Sequence, residues 1–159
     1  MITVEVIKKA KKHFKKNDPV LGALVDVIVL PGWGNNGNYF VDLVESIVSQ
    51  QLSVKAADTI WKRFTLLFPD ARVEASYVLN IPDQKIRDAG ISWQKISYIK
   101  DLAKKTIESG IIFEQFEMMT EEEIITELVK VKGIGRWTAE MFLMFSMGRV
   151  DIFSYGDLG

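Results

Sequence analysis

The sequence contains no cysteine and a single histidine among its 159 residues. Disulfides, a thiol nucleophile and a cysteine-held iron–sulfur cluster are therefore excluded, and so is a zinc site built from the usual ligands. No apolar run approaches the roughly 20 residues that a transmembrane helix needs, and the lysine-rich opening stretch lacks an apolar signal-peptide segment. We expect a cytoplasmic protein that does not bind a membrane and uses no cofactor for catalysis.

The chain also lacks an excess of either charge, because 20 Lys and Arg residues face 21 Asp and Glu residues and the net charge is −1. Composition alone gives no support for nucleic-acid binding, since domains that bind nucleic acids are usually basic. The hydrophobic share of 48% and the charged share of 26% are typical of a soluble globular protein. The length suits one domain over residues 1–159.

Apolar residues recur at helical spacing along nearly the whole chain, and the alternation typical of strands occurs only briefly, around residues 25–30. The pattern therefore predicts an all-α fold. One predicted helix begins after Ser53 and stops before Pro69, with Ala56, Ala57, Ile60, Trp61, Phe64 and Leu67 on its buried face. The others are predicted at 4–14, 39–48, 73–79, 83–89, 93–109, 121–130 and 137–147.

Residues that favour helix ends flank these segments. Thr120 and Glu123 form a capping box, in which each side chain binds the other residue's backbone N–H. A dense group of turn residues at 31–37 predicts a loop. The other predicted helix ends lie at Asp18-Pro19, Ser53, Gly90, Ser92 and Gly110.

The first predicted helix carries lysines around its polar face. This face is either solvated or contacts a nucleic-acid backbone, and the sequence leaves both alternatives open. The residues are Lys8, Lys9, Lys11, Lys12, Lys15 and Lys16.

A short turn, Val131-Lys-Gly-Ile-Gly-Arg136, separates two predicted helices and makes them a helical hairpin at about residues 121–148. Gly133 and Gly135 allow the backbone to approach a partner closely, and the N–H groups that begin the second helix suit an anion such as phosphate. Lys132 and Arg136 add positive charge beside the turn. A Gly-x-Gly turn is a weak signal by itself, because unrelated proteins use the same turn chemistry.

Three longer strings place the hairpin in a family. They are residues 47–57, Ile-Val-Ser-Gln-Gln-Leu-Ser-Val-Lys-Ala-Ala; residues 90–96, Gly-Ile-Ser-Trp-Gln-Lys-Ile; and residues 132–140, Lys-Gly-Ile-Gly-Arg-Trp-Thr-Ala-Glu. After the last string come an apolar helix and the loop Asp151-Ile-Phe-Ser-Tyr-Gly-Asp-Leu-Gly159. Over about residues 40–159 the chain resembles the helix-hairpin-helix (HhH-GPD) DNA glycosylase superfamily, and most closely its alkyladenine branch, the DNA-3-methyladenine glycosylase II type.

The resemblance implies a DNA N-glycosylase that excises alkylated purines from damaged double-stranded DNA in base excision repair. The second Asp of the family's Asp-x-Phe-x-x-x-Asp loop does the chemistry, and here it is Asp157. Its carboxylate would stabilise the sugar cation and orient the attacking water. Members that also cut the DNA backbone carry a lysine where this chain has Trp137, so the resemblance implies a monofunctional enzyme. As an alternative, Asp157 is simply a helix N-cap.

Base flipping requires a side chain that fills the gap left in the duplex. The resemblance places this wedge at Gln50-Gln51-Leu52, and we expect Gln51 or Leu52 to insert. Leu52 could equally belong to the core. Trp137 matches a position that lines the base pocket, where its ring face would favour a cationic alkylated purine, although a buried tryptophan could also serve the core.

The residues that the resemblance places at the DNA backbone are Lys132, Gly133, Gly135, Arg136 and Thr138. It further implies a monovalent cation, Na+ or K+, held by the backbone carbonyls of Val129, Val131 and Ile134. Lys132 stands where the family commonly has proline; this adds charge and loosens the turn.

The family continues through further helices after the catalytic Asp. We therefore expect the chain as given to be truncated at its C-terminus, to expose an apolar patch and to self-associate, whereas the full-length protein would be a monomer. The activity of the shorter chain does not follow from the resemblance.

Three other functions stay open at this point. One is a non-catalytic helix-hairpin-helix module, which needs Gly133 and Gly135 but not Asp157. The second is a glycosylase for another damaged base, since the preferred lesion does not follow from the sequence. The third is a helical scaffold for protein partners.

Overall fold

The structure is a computed structural model that describes residues 4–28, 37–108 and 110–156. Within these ranges the chain forms nine α-helices and no strand, so the predicted all-α class is confirmed. None of these helices is both long enough and apolar enough to span a membrane. The helices are α1 (Val4–Asn17), α2 (Pro19–Leu24), α3 (Tyr39–Ser49), α4 (Val54–Thr65), α5 (Ala75–Asn80), α6 (Asp83–Asp88), α7 (Trp93–Glu108), α8 (Glu121–Leu128) and α9 (Arg136–Met141).

Helices α1 and α2 form a hairpin that the sequence predicted only in part. Asp18-Pro19 does end the first helix, but it also begins α2, because the Asp18 carboxylate accepts the N–H groups of Val20 and Leu21, each at 2.9 Å. No described side chain of α1 is buried, so its lysine face is exposed to solvent. Apolar side chains on α2 are exposed as well, including Val20 and Leu24. Self-association through such a surface stays a prediction.

Helix α3 is the centre of the core. Its pattern of Tyr39, Phe40, Leu43, Val44, Ile47 and Val48 is buried as the spacing indicates. Each large side chain buried in this way contributes about 1.5 to 3 kcal/mol. Helix α4 buries Phe64 fully, whereas the rest of its predicted apolar face is only partly covered. The core is completed mainly by α7, α8 and the segment that follows α9.

The apolar spacing in the helix predicted at 93–109 indicates a buried face of Ile96, Ile99, Leu102 and Ile107, and helix α7 corrects one of these positions. Ile96, Ile99 and Leu102 are fully buried, but Ile107 is 52% exposed. Five residues at 3.6 per turn place Ile107 about 140° around the helix from Leu102, and therefore away from the core. A second correction is that a short 3-10 helix at Phe113–Met118, absent from the prediction, contributes the buried side chain of Phe116.

The predicted helix ends are largely confirmed. Thr120 and Glu123 form the capping box, and the Ser53 hydroxyl accepts the Ala56 N–H. Gly90 and Gly110 both adopt positive φ after a helix, at 105° and 76°. The loop predicted at 31–37 lies outside the described residues except for Gly37. Residues 25–27 form a turn rather than part of a strand.

The hairpin predicted at 121–148 is present as α8, a turn at 129–135, and α9. Helix α9 continues into a π-helical segment, Phe142–Ser146, in place of the uniform helix that the sequence predicted. The apolar residues Phe142 and Leu143 of this segment are buried against the core. The hairpin is thereby fixed to the body of the domain, and its glycine turn lies at the surface.

Candidate functional site

Two predicted segments that are 83 residues apart in sequence meet at one surface. The first, which we call the wedge loop, is Gln50–Ser53 after α3. The second is the hairpin turn between α8 and α9. The side-chain amide of Gln50 joins them by donating through Nε2 to the carbonyl oxygen of Gly133 at 3.0 Å.

The wedge loop has an exposed and strained tip. Gln51 lies at φ 57°, a conformation that non-glycine residues rarely adopt. Strain of this kind costs about 1 to 3 kcal/mol and persists only where the surroundings impose it. Leu52 is 38% exposed, so its side chain does not belong to the core. Both candidates for the wedge are therefore available at the surface.

The surroundings that impose the loop geometry come from α7. The Lys95 ammonium donates to the carbonyl oxygens of Val48 and Gln50, at 2.7 Å and 2.6 Å. These carbonyls belong to the last turn of α3 and the residue that caps it, where helix carbonyls lack intrahelical donors. Burial lowers the pKa of Lys95 from its usual value.

The hairpin turn is packed on the same face of α7. Gly133 adopts φ 79°, and a Cβ atom there would lie 2.0 Å from Cδ2 of the Tyr98 ring. The Tyr98 hydroxyl is in turn bound by the side-chain amide of Gln94 at 2.6 Å. Glycine at position 133 is therefore required by the fold itself, both for its conformation and for the contact with Tyr98.

Gly135 is different. Its φ of −90° is open to any residue, and no atom lies within 4 Å of the place where its Cβ would be. Within the described structure, nothing in the fold excludes a side chain at this position. The surface above Gly135 is therefore free for the close approach of another molecule's atoms.

Lys132 is held through its backbone while its side chain is exposed. Its N–H donates to Oδ2 of Asp101 at 2.9 Å, and Lys105 binds the same oxygen at 2.6 Å. Burial raises the pKa of Asp101, but the hydrogen bonds from Lys105 and Lys132 outweigh it and leave the pKa below its usual value. The hairpin turn is therefore fixed to α7 by an ionised carboxylate.

Arg136 is exposed but paired within the protein. Its guanidinium binds both carboxylate oxygens of Glu122 and, through Nε, Oε1 of Glu140 at 2.9 Å. These carboxylates hold the pKa of Arg136 above its usual value. They also offset its charge, so the positive charge predicted beside the turn comes mainly from Lys132.

Trp137 lies at the start of α9 between two clefts and is 49% exposed. One cleft, of about 720 Å³, is bordered by Ser49, Gln50, Lys95 and Tyr98. The indole is therefore not a core side chain. Its role in a base pocket stays a prediction.

Thr138 is 7% exposed, so its side chain is buried in the first turn of α9. The first hydrogen bond of this helix runs from the Ala139 N–H to the Gly135 carbonyl at 3.0 Å. The N–H groups ahead of Ala139 have no intrahelical acceptor. Any contact of Thr138 with DNA would therefore use its backbone.

Asp157, the predicted catalytic residue, lies outside the described residues. The loop that leads to it is held against α9, because the Ser154 hydroxyl donates to Oε2 of Glu140 at 2.7 Å. The last described residues, Tyr155 and Gly156, border the second cleft and therefore line the same cleft as Trp137.

The predicted cation site consists of main-chain oxygens in the hairpin turn. The Val131 carbonyl accepts the Ile134 N–H at 3.1 Å, and a carbonyl oxygen keeps a second lone pair after one such bond. Neutral oxygen donors suit a hard cation, so the donor set of Val129, Val131 and Ile134 fits Na+ or K+. Occupancy of this site stays a prediction.

Sequence reasoning missed the part played by α7. Lys95, Tyr98 and Asp101 hold both surface loops, yet no role was assigned to them from the sequence. The string 90–96 included Lys95 without a role for it. The available signal was spacing, since polar side chains at 95, 98 and 101 recur every three residues and lie on neighbouring turns.

Comparisons with known proteins agree with this arrangement. The family model described as HhH-GPD superfamily base excision DNA repair protein matches residues 44–159. A DNA-3-methyladenine glycosylase of Schizosaccharomyces pombe is 38% identical over 122 residues, which are 75% of this chain and 53% of that protein. The Saccharomyces cerevisiae DNA-3-methyladenine glycosylase is 36% identical over 77% of this chain and 44% of its own length. The chain therefore spans about half the length of the curated relatives it matches.

A solved structure is similar throughout the chain. The 3-methyladenine DNA glycosylase of Schizosaccharomyces pombe in complex with abasic DNA has a TM-score of 0.84 at 32% identity, and the match covers 94% of this chain and 75% of that one. The family and fold predicted from the sequence are confirmed. The chain belongs to the HhH-GPD superfamily of base excision DNA repair proteins.

Proposed function

We propose that this chain is a monofunctional DNA glycosylase that hydrolyses the N-glycosidic bond of alkylated purines of the 3-methyladenine type in double-stranded DNA. The observation that carries the proposal is the placement of the exposed Gln51 tip and the open Gly135 turn on one surface, joined by the Gln50 contact to Gly133. The names of the relatives support the substrate class.

The hairpin turn binds the DNA backbone in this proposal. A phosphate approaches over Gly135, where no protein atom stands in the way, and meets the N–H groups that begin α9. Lys132 supplies charge, Gly133 shapes the turn, and Thr138 contributes through its N–H. Arg136 contributes as a donor held in place by Glu122 and Glu140 rather than as a source of net charge.

The carbonyls of Val129, Val131 and Ile134 would hold Na+ or K+, which would supply positive charge that screens the phosphate. The residues of the turn still provide the N–H donors and the open approach at Gly135. Binding by this surface weakens as salt rises, because phosphate contacts release counterions.

Flipping of the base follows from the wedge loop. The tip at Gln51, with Leu52 beside it, enters the gap that the base leaves and so offsets part of the unstacking cost of a few kcal/mol. The extruded purine then meets the exposed ring of Trp137. A ring-alkylated purine is a cation, and an aromatic face attracts it more than a normal base.

The chemical step is assigned to Asp157. As the glycosidic bond breaks, its electron pair leaves with the base, and the sugar becomes a cation that the Asp157 carboxylate stabilises. Water adds to the sugar carbon and loses its proton, which leaves an abasic site. Trp137 has no amine to form a Schiff base with the sugar, so the strand is not cut.

The test is release of free base from a duplex carrying methylated purines, at enzyme excess, by the chain and by Asp157→Asn. We expect the substitution to reduce the single-turnover rate by at least about 100-fold, since a removed electrostatic group typically costs this much. Affinity for an abasic duplex should stay within about twofold, because the hairpin turn is unchanged.

Release that survives the substitution would overturn the assignment of Asp157. Absence of release by both proteins, with binding that still falls steeply as salt rises, would indicate the non-catalytic DNA-binding module. Release of another damaged base alone would correct the substrate class. Binding insensitive to salt would contradict a DNA-backbone surface altogether.

A further inference from the structure

The wedge loop is shaped by one ammonium group of another helix. Lys95 on α7 reaches both the Val48 and Gln50 carbonyls, so a single side chain spans the last turn of α3 and the residue before the tip. Among the described residues, no carboxylate pairs with Lys95, so these carbonyls are its polar partners within the protein.

The contact compensates two unfavourable features at once. The terminal carbonyls of α3 lack helical donors, and a cation at a helix C-terminus is favourable. The chain then turns at Gln51 into a conformation with positive φ, which must be imposed by neighbours. Fixing the Gln50 carbonyl directly before this residue constrains the peptide that carries the turn.

The position of Lys95 also distinguishes it from a surface lysine. Its side chain is half-buried, and burial lowers the pKa of its ammonium. A buried charge is costly unless hydrogen bonds satisfy it, and the carbonyls of the wedge loop provide them. The same α7 face packs Tyr98 against Gly133, so both surface loops are built on one helix.

We propose that Lys95 is a positioning residue for base flipping, which fixes the Gln51 tip and, through the Gln50 contact to Gly133, its place relative to the hairpin turn. This inference rests on the proposed function. Without the ammonium, the two carbonyls turn to water, Gln51 relaxes towards negative φ, and the tip no longer enters the duplex at the required place.

The experiment compares Lys95→Met, which keeps the length of the side chain but lacks the ammonium, with Lys95→Arg, which restores donors. Lys100→Met is the control, because Lys100 also binds two helix-end carbonyls: it donates to the Ile81 carbonyl at 2.8 Å and the Leu79 carbonyl at 3.4 Å. Those carbonyls lie at the end of α5, away from the wedge loop. Lys100 differs from Lys95 in also pairing with Asp83 at 2.6 Å, so its loss should cost at least as much stability. Both methionine variants should lose stability.

We expect Lys95→Met alone to slow single-turnover base release from a paired lesion, by roughly tenfold, the effect of losing hydrogen bonds to a charged donor. The defect should shrink when the lesion lies opposite an abasic site, since an unpaired base needs less help to leave the duplex. Lys95→Arg should recover much of the rate, and affinity for undamaged duplex should change little.

Equal slowing by Lys95→Met and Lys100→Met, or a defect independent of pairing, would overturn the inference in favour of a purely structural role. If the unaltered chain releases no base, the proposed chemistry fails, and two other readouts decide the inference. These are amide hydrogen exchange at residues 50–52 and the fluorescence of a duplex with 2-aminopurine at the target position. The inference is supported if amide exchange at residues 50–52 is faster, and unstacking of 2-aminopurine weaker, in Lys95→Met but not in Lys100→Met. It is overturned if the two variants behave alike in both measurements.

Discussion

Alanine at Gly133 separates the structural role of one hairpin glycine from the binding role of the other. The new Cβ would lie 2.0 Å from Cδ2 and 2.5 Å from Cγ of Tyr98. Because Cγ is at the base of the ring, rotation of the ring cannot relieve this contact, and the whole side chain must move. The backbone would also hold alanine at φ 79°.

Three contributions set the size of the effect. The left-handed conformation costs an alanine about 1 to 2 kcal/mol. Displacing a packed side chain costs about 1 to 3 kcal/mol. The lower entropy of the unfolded chain returns about 0.4 to 1 kcal/mol. We therefore expect the free energy of unfolding to fall by about 1 to 4.5 kcal/mol, or the melting temperature by about 2 to 18 °C for a domain of this size.

Urea unfolding of four proteins measures this: the unaltered chain, Gly133→Ala, Tyr98→Ala and the double variant. The double variant lacks the ring, so only the conformational cost should remain. The coupling energy between the two positions should then be about 1 to 3 kcal/mol. A coupling energy near zero, or a loss below about 0.5 kcal/mol for Gly133→Ala, would refute the packing argument.

Gly135→Ala is the matched control at the other glycine. No protein atom lies within 4 Å of the Cβ position at residue 135, and its φ is −90°. The free energy of unfolding of Gly135→Ala should therefore stay within about 1 kcal/mol of that of the unaltered chain. Affinity for abasic duplex should nevertheless fall, because the methyl group occupies the space proposed for a phosphate. Unchanged affinity would contradict that placement.

Three further substitutions test other parts of the site. Gln51→Gly relieves the strain of the positive φ at the tip, so we expect the free energy of unfolding to change by less than about 1 kcal/mol while base release slows. An unchanged rate of release would indicate that Leu52, rather than Gln51, is the wedge. Trp137→Leu should change the free energy of unfolding in urea by less than about 1 kcal/mol, as expected for a half-exposed side chain, and should slow the release of cationic bases more than that of other bases. A loss of about 3 to 5 kcal/mol would instead indicate a core residue. Asp101→Asn should cost about 1 to 2 kcal/mol at neutral pH. Because the pKa of Asp101 is lowered by folding, its stabilisation is present above the unfolded pKa of about 3.9 and is lost as pH falls through the folded pKa. The difference in free energy of unfolding between Asp101→Asn and the unaltered chain should therefore disappear in acid. A difference independent of pH would contradict the ionised contact to Lys132.

Local rules account for the parts of the fold that the sequence predicted. The capping box of Thr120 and Glu123, the apolar face of α3 and the glycine at position 90 each depend on neighbours within a few residues. The hairpin turn is predictable for the same reason. The family strings added the grouping of the wedge loop with the hairpin, which spacing alone does not give.

The features that the sequence did not predict depend on tertiary contacts. Lys95 binds carbonyls that lie 45 and 47 residues earlier, and no local pattern identifies such a partner. Arg136 appeared as a free positive charge, but Glu122, 14 residues away, is brought to it by the fold. Ile107 was assigned to the core from its apolar character although its angle on α7 points elsewhere.

The most direct test of the proposed function follows both products of the reaction from one duplex that carries methylated purines. Free base is quantified by mass spectrometry, and the strand is sized before and after treatment with alkali. A monofunctional glycosylase yields free methylated purine together with a strand that stays intact until alkali cleaves it at the abasic site. Strand cleavage without alkali would contradict a monofunctional enzyme, and no free base despite salt-sensitive duplex binding would contradict a glycosylase acting on alkylated purines.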